Sequence, residues 1–334
     1  MGANKNREGE SMKPYYETAL GKLFHCDCLE IMPQLEPVDL VIADPLYNIG
    51  VADWDRIPGY HKWIVSIFQA TEKASKDNAT LWFFHMVFSE LAKIHTMLEE
   101  KTSYRHKQMI IIDKGLGSIA GRCSIGAMRS YPKATEYLQF YTFEDRTGAK
   151  QLSEKYQKIN PMAKYLRAEF NHAGVSNNSI AALFPSRTGR MTGCVRNWLL
   201  GLNFPTEEQY NTIRAHLNYE YLRKEYEDLR KEYEDLRYTF NLPMGHTDVW
   251  NDINFYNAKV DSHETPKPVT LIMRIVETAS ILGDTVLDPF IGSGTTAIAC
   301  ERLNRRWIGI EISEEYCEIA ARRIERETRQ LKLF

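Results

Sequence analysis

Two hydrophobic periods divide this chain. Short apolar runs of strand length occur at Val38–Ala43, Ala79–His85, Gln108–Asp113, Thr285–Asp288 and Trp307–Glu311, and a strand tip at Leu23–Asp27. Glu136–Phe143 reads as an alternating strand. Between them lie stretches with helical spacing: Leu29 to about Gln34, Tyr60–Lys73 with Trp63, Ile64, Ile67 and Phe68 on one face, Phe88–Glu100, and Val269–Ile281. Strands alternating with helices predict an α/β fold built on a doubly wound, mostly parallel sheet.

The pattern breaks in the middle. Residues 1–12 read as a disordered tail, 13–150 as one half of the α/β domain, 151–245 as a helical insertion, and 246–334 as the second half. Within the insertion, Ser176 opens a short helix to about Leu183 and Thr192–Leu200 reads as a second. Pro205 then opens a third, and Trp198 and Gly201 before it resemble the end of a repressor-type recognition helix. A true repeat follows. Tyr219, Leu222, Tyr226, Leu229, Tyr233 and Leu236 stand at coiled-coil spacing and predict a heptad helix over 219–237. Fewer than three heptads need something to pack on.

Chemistry gathers at strand ends. The first run ends in Asp44-Pro45-Leu46-Tyr47-Asn48. A carboxylate, a carbonyl freed beside the proline and a flat ring can together hold an amino-bearing base at the carboxyl edge of a sheet, although Asp-Pro also serves as a plain turn. Asp288-Pro-Phe290-Ile-Gly292-Ser293-Gly294 leads from a strand through a glycine turn into a helix rich in small residues. Glycines admit close backbone approach, and a helix amino end favours an anionic group. Glu311 ends the next strand, and a carboxylate there suits ribose hydroxyls. The glycine spacing is not that of a dinucleotide fingerprint.

With these motifs the chain resembles the S-adenosylmethionine-dependent DNA amino-methyltransferases of the permuted, beta-group order. The matching stretches are Asp44-Pro45-Leu46-Tyr47, Asp288–Gly294, Gly309-Ile310-Glu311, and His263-Glu264-Thr265-Pro266-Lys267-Pro268. They cover roughly 22–145 and 245–328 and leave the insertion uncovered. The catalytic motif preceding the cofactor motif is the mark of the permuted group. The resemblance implies a Rossmann-like methyltransferase fold with S-adenosyl-L-methionine as cofactor. It implies catalytic roles for Asp44, Pro45 and Tyr47. The cofactor would meet Asp27, Thr265, Lys267, Asp288, Phe290, Gly292, Ser293, Gly294 and Glu311. Asp27 would reach the adenine amino group, yet a helix cap needs the same residue type. Lys267 would suit the methionine carboxylate.

The implied reaction moves a methyl group to the N6 amino group of adenine in DNA, with the base flipped from the duplex. The family form has a second proline where this chain has Leu46, which leaves the turn freer and restores an N–H donor. Cytosine N4 transfer uses the same amino chemistry, commonly with serine in place of Asp44. Cytosine C5 transfer needs a thiolate, usually from a Pro-Cys pair, and no Pro-Cys occurs. A protein or RNA amino-methyltransferase, and a DNA-binding relative that has lost turnover through Leu46, are the other readings.

Charge adds the DNA contacts. The chain carries a net −2, but from Lys101 to Lys133 seven Lys or Arg accompany a single acid, Asp113. That glycine-bearing stretch, with Arg122, Arg129 and Lys133, is a candidate clamp on DNA phosphates. Arg187, Arg190 and Arg196 lie in the insertion, with no acid between Asn171 and Thr206. They are candidate contacts of a recognition helix to double-stranded DNA. The loop from Asn48 to Gly59, with Trp54, is a candidate cover for a flipped base. Six scattered cysteines make neither a disulfide framework nor a zinc spacing. No apolar run reaches membrane length and no secretory leader is expected, so the reading is a cytoplasmic protein of a bacterium or a phage host. A homodimer and a cognate restriction endonuclease remain open as partners, and a membrane does not.

Overall fold

The computed structural model describes residues 13–49, 56–115, 129, 131–143, 160–186, 188, 192–234, 238–242, 245–255 and 266–331. Its contacts divide the chain into two compact units, one formed by residues 1–142 and 239–334 and the other by 143–238.

The first unit is built on one nine-stranded sheet. In chain order its strands are β1 Tyr16–Glu17, β2 Gly21–His25, β3 Val38–Ala43, β4 Ser75–His85, β5 Arg105–Asp113, β6 Thr135–Thr142, β7 Val249–Trp250, β8 Thr285–Asp288 and β9 Arg306–Glu311. Across the sheet the order is β1-β2-β9-β8-β3-β4-β6-β5-β7. The pairs β2–β9, β9–β8, β8–β3, β3–β4 and β5–β7 are parallel, while β1–β2, β4–β6 and β6–β5 are antiparallel. The fold is the expected doubly wound, mostly parallel α/β sheet. Strand β3 shows why the apolar runs read as strands: Val38 and Leu40 to Ala43 are all buried, as both faces of a parallel sheet require. Helices α2 (Tyr60–Lys73), α3 (Phe88–Lys101), α9 (Val269–Ala279), α10 (Thr295–Leu303) and α11 (Glu314–Leu331) accompany these strands, and a short α1 (Cys28–Ile31) follows β2. The intervening α4 to α8 belong to the other unit.

Two expectations on this unit change. Strand β6 alternates only over its first half; from Leu138 to Thr142 every residue is buried. It lies between β4 and β5, so both its edges are paired, and the consecutive buried residues show that both its faces are covered there. One edge is taken by β7, a two-residue strand where the apolar pattern predicts none.

Topology then decides what the carboxyl edge holds. Parallel β2, β9, β8, β3 and β4 all deliver their carboxyl ends to one side. Because β6 runs the other way, its first residues reach that side too: Tyr137 pairs with His85 at the end of β4, and Thr135 with Asp113 at the end of β5. Glu136 and Lys114 thereby join Asp44 on the same edge.

The second unit is helical, with α4 (Pro161–His172), α5 (Asn177–Ala181), α6 (Cys194–Leu200), α7 (Glu207–His216) and α8 (Tyr226–Glu234). Asn160 caps α4 through Ala163 N, Ser176 caps α5, and Thr206 and Gln209 form a reciprocal capping box on α7. Its core joins Leu166, Phe170, Ile180, Trp198, Tyr210, Ile213, Leu222 and Leu229. The heptad helix predicted over 219–237 is not continuous. Tyr219 and Leu222 have φ of 59° and 55°, in the left-handed region that ends helices, and α8 starts only at Tyr226. The Leu222 N–H donates to the Glu169 carboxylate at 2.7 Å, and the Lys224 N–H to the Tyr165 hydroxyl at 3.0 Å. The apolar repeat positions Leu222, Leu229 and Tyr233 are buried all the same. Their spacing serves packing onto α4 and α7 rather than coiling.

Candidate active site at the carboxyl edge

Asp44 follows β3 directly, and its side chain is 31% exposed. Its Oδ1 accepts from the Tyr47 hydroxyl at 2.7 Å, and its Oδ2 from Lys267 Nζ at 2.7 Å. The same hydroxyl also lies within hydrogen-bond reach of Glu136 Oε1, so its one proton is shared between the two carboxylates. Lys267 Nζ lies 3.2 Å from both Glu136 Oε1 and the Tyr47 oxygen. Lys114 approaches the other oxygen of Glu136 at 3.9 Å. Two carboxylates, a phenol and an ammonium thus form one closed cluster, with Lys267 also 4.9 Å from the centroid of the Phe84 ring.

The charges in the cluster stabilise one another. Burial alone would neutralise Lys267, but the Asp44 and Glu136 carboxylates outweigh it and hold the ammonium above its ordinary range. Burial would likewise protonate Glu136, which is 2% exposed, yet Lys267 and Lys114 keep its carboxyl below the usual value. Burial and both neighbouring carboxylates push the Tyr47 phenol well up, so it acts as a neutral donor.

A second chain of contacts reaches the turn from behind. The Val87 N–H donates to His85 Nδ1 at 3.0 Å, which leaves the proton on Nε2, 3.1 Å from the Tyr60 hydroxyl. Tyr60 in turn donates to the Leu46 carbonyl. Burial lowers His85 to about 4, so the ring is neutral. Its face lies 5.1 Å from that of Tyr47. The backbone at Leu46, where a second proline was missing, is therefore held by a side chain instead.

On the neighbouring strands, Asp288 accepts from Phe290 N at 2.9 Å and from the Thr296 hydroxyl at 2.5 Å. Burial raises its carboxyl to about 7. Gly292 and Gly294 take φ of 51° and 83°, and Gly294 packs where a Cβ would lie 3.1 Å from Ala320 Cβ. Glu311 accepts from Gly292 N at 3.0 Å and from Ser313 N at 2.9 Å, so backbone amides orient it beside the loop. Burial raises this carboxyl above its ordinary range. The Ser293 carbonyl and hydroxyl both accept from Arg323. Phe290 lies 5.9 Å, ring to ring, from Trp63.

The remaining expectations divide. Asp27 caps α1 through Leu29 N at 2.9 Å, so one of its oxygens serves the fold. Lys267, expected at a cofactor carboxylate, pairs with Asp44 at 2.7 Å and with Glu136 at 3.2 Å. Pro45 is buried in the turn. Arg129, Lys133 and Arg196 are exposed, and Arg196 projects from α6. Thr265, Arg122, Arg187 and Arg190, with Trp54 of the loop, lie outside the described residues. Sequence reasoning missed Glu136, Lys114, His85, Tyr60 and Arg323. Only an acid opening an otherwise apolar strand hinted at Glu136. Among the described residues no group of His, Cys, Asp and Glu is arranged to hold a metal, and no helix is long and apolar enough to cross a membrane.

Type II methyltransferase M.BamHI of Bacillus amyloliquefaciens is 28% identical over 97% of this chain, which spans 62% of that relative. M2.DpnII of Streptococcus pneumoniae is 26% identical over 94% of this chain and 93% of its own length. Among solved structures, the PvuII cytosine-N4-specific DNA methyltransferase superposes with a TM-score of 0.54 at 13% identity, covering 95% of this chain and 94% of that one. The M1.HpyAVI complex with SAM has a TM-score of 0.50 at 18% identity, covering 91% of this chain and all of that one. The DNA methylase family profile, of the N6/N4 type, runs from residue 38 to residue 322, from the strand that presents Asp44 to the helix behind the glycine loop, and the chain belongs to that family.

Proposed function

We propose that the protein transfers the methyl group of S-adenosylmethionine to the N6 amino group of adenine in duplex DNA. The observation that carries this reading is Asp44 at the carboxyl edge, beside Tyr47 and adjacent in the sheet to the strand that leads into the glycine loop. The loop from Asp288 to Gly294 and the Glu311 carboxylate, oriented by Gly292 N, suit the methionine and ribose parts of the cofactor. The adenine amino nitrogen shares its lone pair with the ring. Acceptors at Asp44 and the Pro45 carbonyl draw its two hydrogens out of plane, so that the lone pair faces the sulfonium methyl. The N–CH3 bond forms as the S–CH3 bond breaks, and the cationic amine then loses its proton. Asp44 need not be a strong base for that, since the proton leaves after the nitrogen has become positive. Tyr47 offers a ring against the flipped base.

Asp44 favours adenine; the N6/N4 family and the cytosine-N4 structural relative make cytosine the second reading. Duplexes of mixed sequence separate the two. With every adenine replaced by purine, which lacks the amino group, labelled methyl uptake should vanish; with every cytosine replaced by 2-pyrimidinone it should persist. The reverse pattern contradicts the adenine reading. Exposed Arg196 on α6 fits a DNA-reading role for the helical unit, and Arg129 and Lys133 a phosphate clamp. A bacterial cytoplasm, and pairing with a restriction endonuclease, accord with type II relatives such as M.BamHI.

A further inference from the structure

The cluster around Asp44 poses a problem for the proposed reaction. Both of its carboxylate oxygens are already occupied, Oδ1 by the Tyr47 hydroxyl and Oδ2 by Lys267. A substrate amino group that donates to Asp44 along the direction either partner now takes displaces that partner. A displaced ammonium in a site this closed needs another anion at once, because an unpaired buried charge is costly.

Glu136 meets that need. Its Oε1 is already within hydrogen-bond reach of the Tyr47 hydroxyl and stands 3.2 Å from Lys267 Nζ, so neither donor has to travel. Lysine has three N–H donors and tyrosine one O–H. Before the base arrives they serve Asp44 and Glu136, with Lys267 also donating to the Tyr47 oxygen; afterwards they serve Glu136, with the Lys267 to Tyr47 contact kept. We propose, on the amino-transfer reading above, that Glu136 is a positioning residue: it takes Lys267 and Tyr47 from Asp44 when the substrate amino group binds. Two consequences follow. Asp44 loses its cationic partner as the nitrogen gains positive charge, so its full negative charge faces the developing cation. Lys267 is held back from competing for the position the amino group needs. Lys114, on the far oxygen of Glu136, keeps that carboxylate charged throughout.

The test is single-turnover methyl transfer to unmethylated plasmid DNA, with S-adenosylmethionine affinity measured alongside. Glu136→Gln holds an ammonium poorly and leaves Lys267 on Asp44; transfer should fall about 10- to 100-fold, with cofactor affinity unchanged within about twofold. Glu136→Asp should restore part of the rate. The double variant Glu136→Gln with Lys267→Met should be faster than Glu136→Gln alone, because no cation remains to block Asp44. A brace for the fold predicts the opposite order. The proposal is overturned if Glu136→Gln transfers at the wild-type rate, if it loses cofactor binding, or if the double variant is no faster than the single. Wild-type protein that transfers no methyl to DNA would instead remove the functional reading on which the proposal rests.

Discussion

His85 Nε2 lies 3.1 Å from the Tyr60 hydroxyl, and through it a neutral imidazole helps hold the backbone of the turn from Asp44 to Tyr47. In the resembled family form a second proline stiffens this turn covalently; here Leu46 stands in that place and its carbonyl accepts from Tyr60. That hydrogen bond is a candidate compensation.

Tyr60→Phe should expose that compensation. Removing one buried hydroxyl costs about 0.5–1.5 kcal/mol. If the hydrogen bond serves the turn, the loss should appear as slower methyl transfer, roughly 2- to 10-fold, with cofactor affinity unchanged. Rapid-quench kinetics with calorimetric titration reads both. An unchanged rate would mean that Leu46 needs no support.

Gly309→Ala should weaken the cofactor loop from below. A Cβ at residue 309 would lie 2.1 Å from Ile291 Cδ1 and 3.1 Å from its Cγ1, and Ile291 is buried inside the loop. Overpacking of this kind costs about 1–3 kcal/mol. Thermal melting should fall, and cofactor titration should show weakened binding, because the displaced residue sits between Phe290 and Gly292.

Asp288 makes a pH prediction whose sign is unusual for an acid. Its folded carboxyl is raised from 3.8 to about 7, so between those values the folded state holds a proton that the unfolded chain has lost. Stability from this group therefore falls as pH rises from about 4 to about 7 and is flat above. His85, lowered from 6.5 to about 4, acts in the opposite direction over most of that window. The wild-type protein shows only the remainder. Asp288→Asn keeps the acceptor for Phe290 N and removes the titration. The unfolding free energy of the variant minus that of the wild type should rise with pH across the window. A flat difference would place the Asp288 pKa near its ordinary value.

Asp44 and Glu311 should fail differently. Asp44→Ala should abolish transfer and leave S-adenosylmethionine affinity within a few fold. Glu311→Ala should weaken cofactor binding by about 1.5–3 kcal/mol, the worth of a charged hydrogen bond. Calorimetric titration of the two variants separates base from cofactor. Equal losses of cofactor affinity would erase the division of roles.

Much of this was legible in the sequence because strand ends are local signals. An apolar run ending in Asp44, another in Asp288 and a third in Glu311 define three neighbouring strand tips. The structure orders them β3, β8, β9. What the sequence hid was the antiparallel β6. Its reversal carries Glu136 from the start of a strand to the edge where the others finish, and no local pattern announces a reversal. Lys267 is legible by its motif alone, and its pairing with Asp44, 223 residues away, is a tertiary contact that no local pattern shows. The heptad repeat failed for the converse reason. Its period was real, but tertiary hydrogen bonds from Glu169 and Tyr165 hold residues 222 and 224 in a turn that a helix cannot contain.

The central claim is that this site methylates an exocyclic amino group of adenine in DNA. The most direct measurement is digestion of DNA to nucleosides, followed by chromatography and mass analysis, after incubation with the protein and methyl-labelled S-adenosylmethionine. The account predicts label in N6-methyladenine, absent when Asp44→Ala replaces the wild type. Label in N4-methylcytosine alone, or in no base at all, would contradict it.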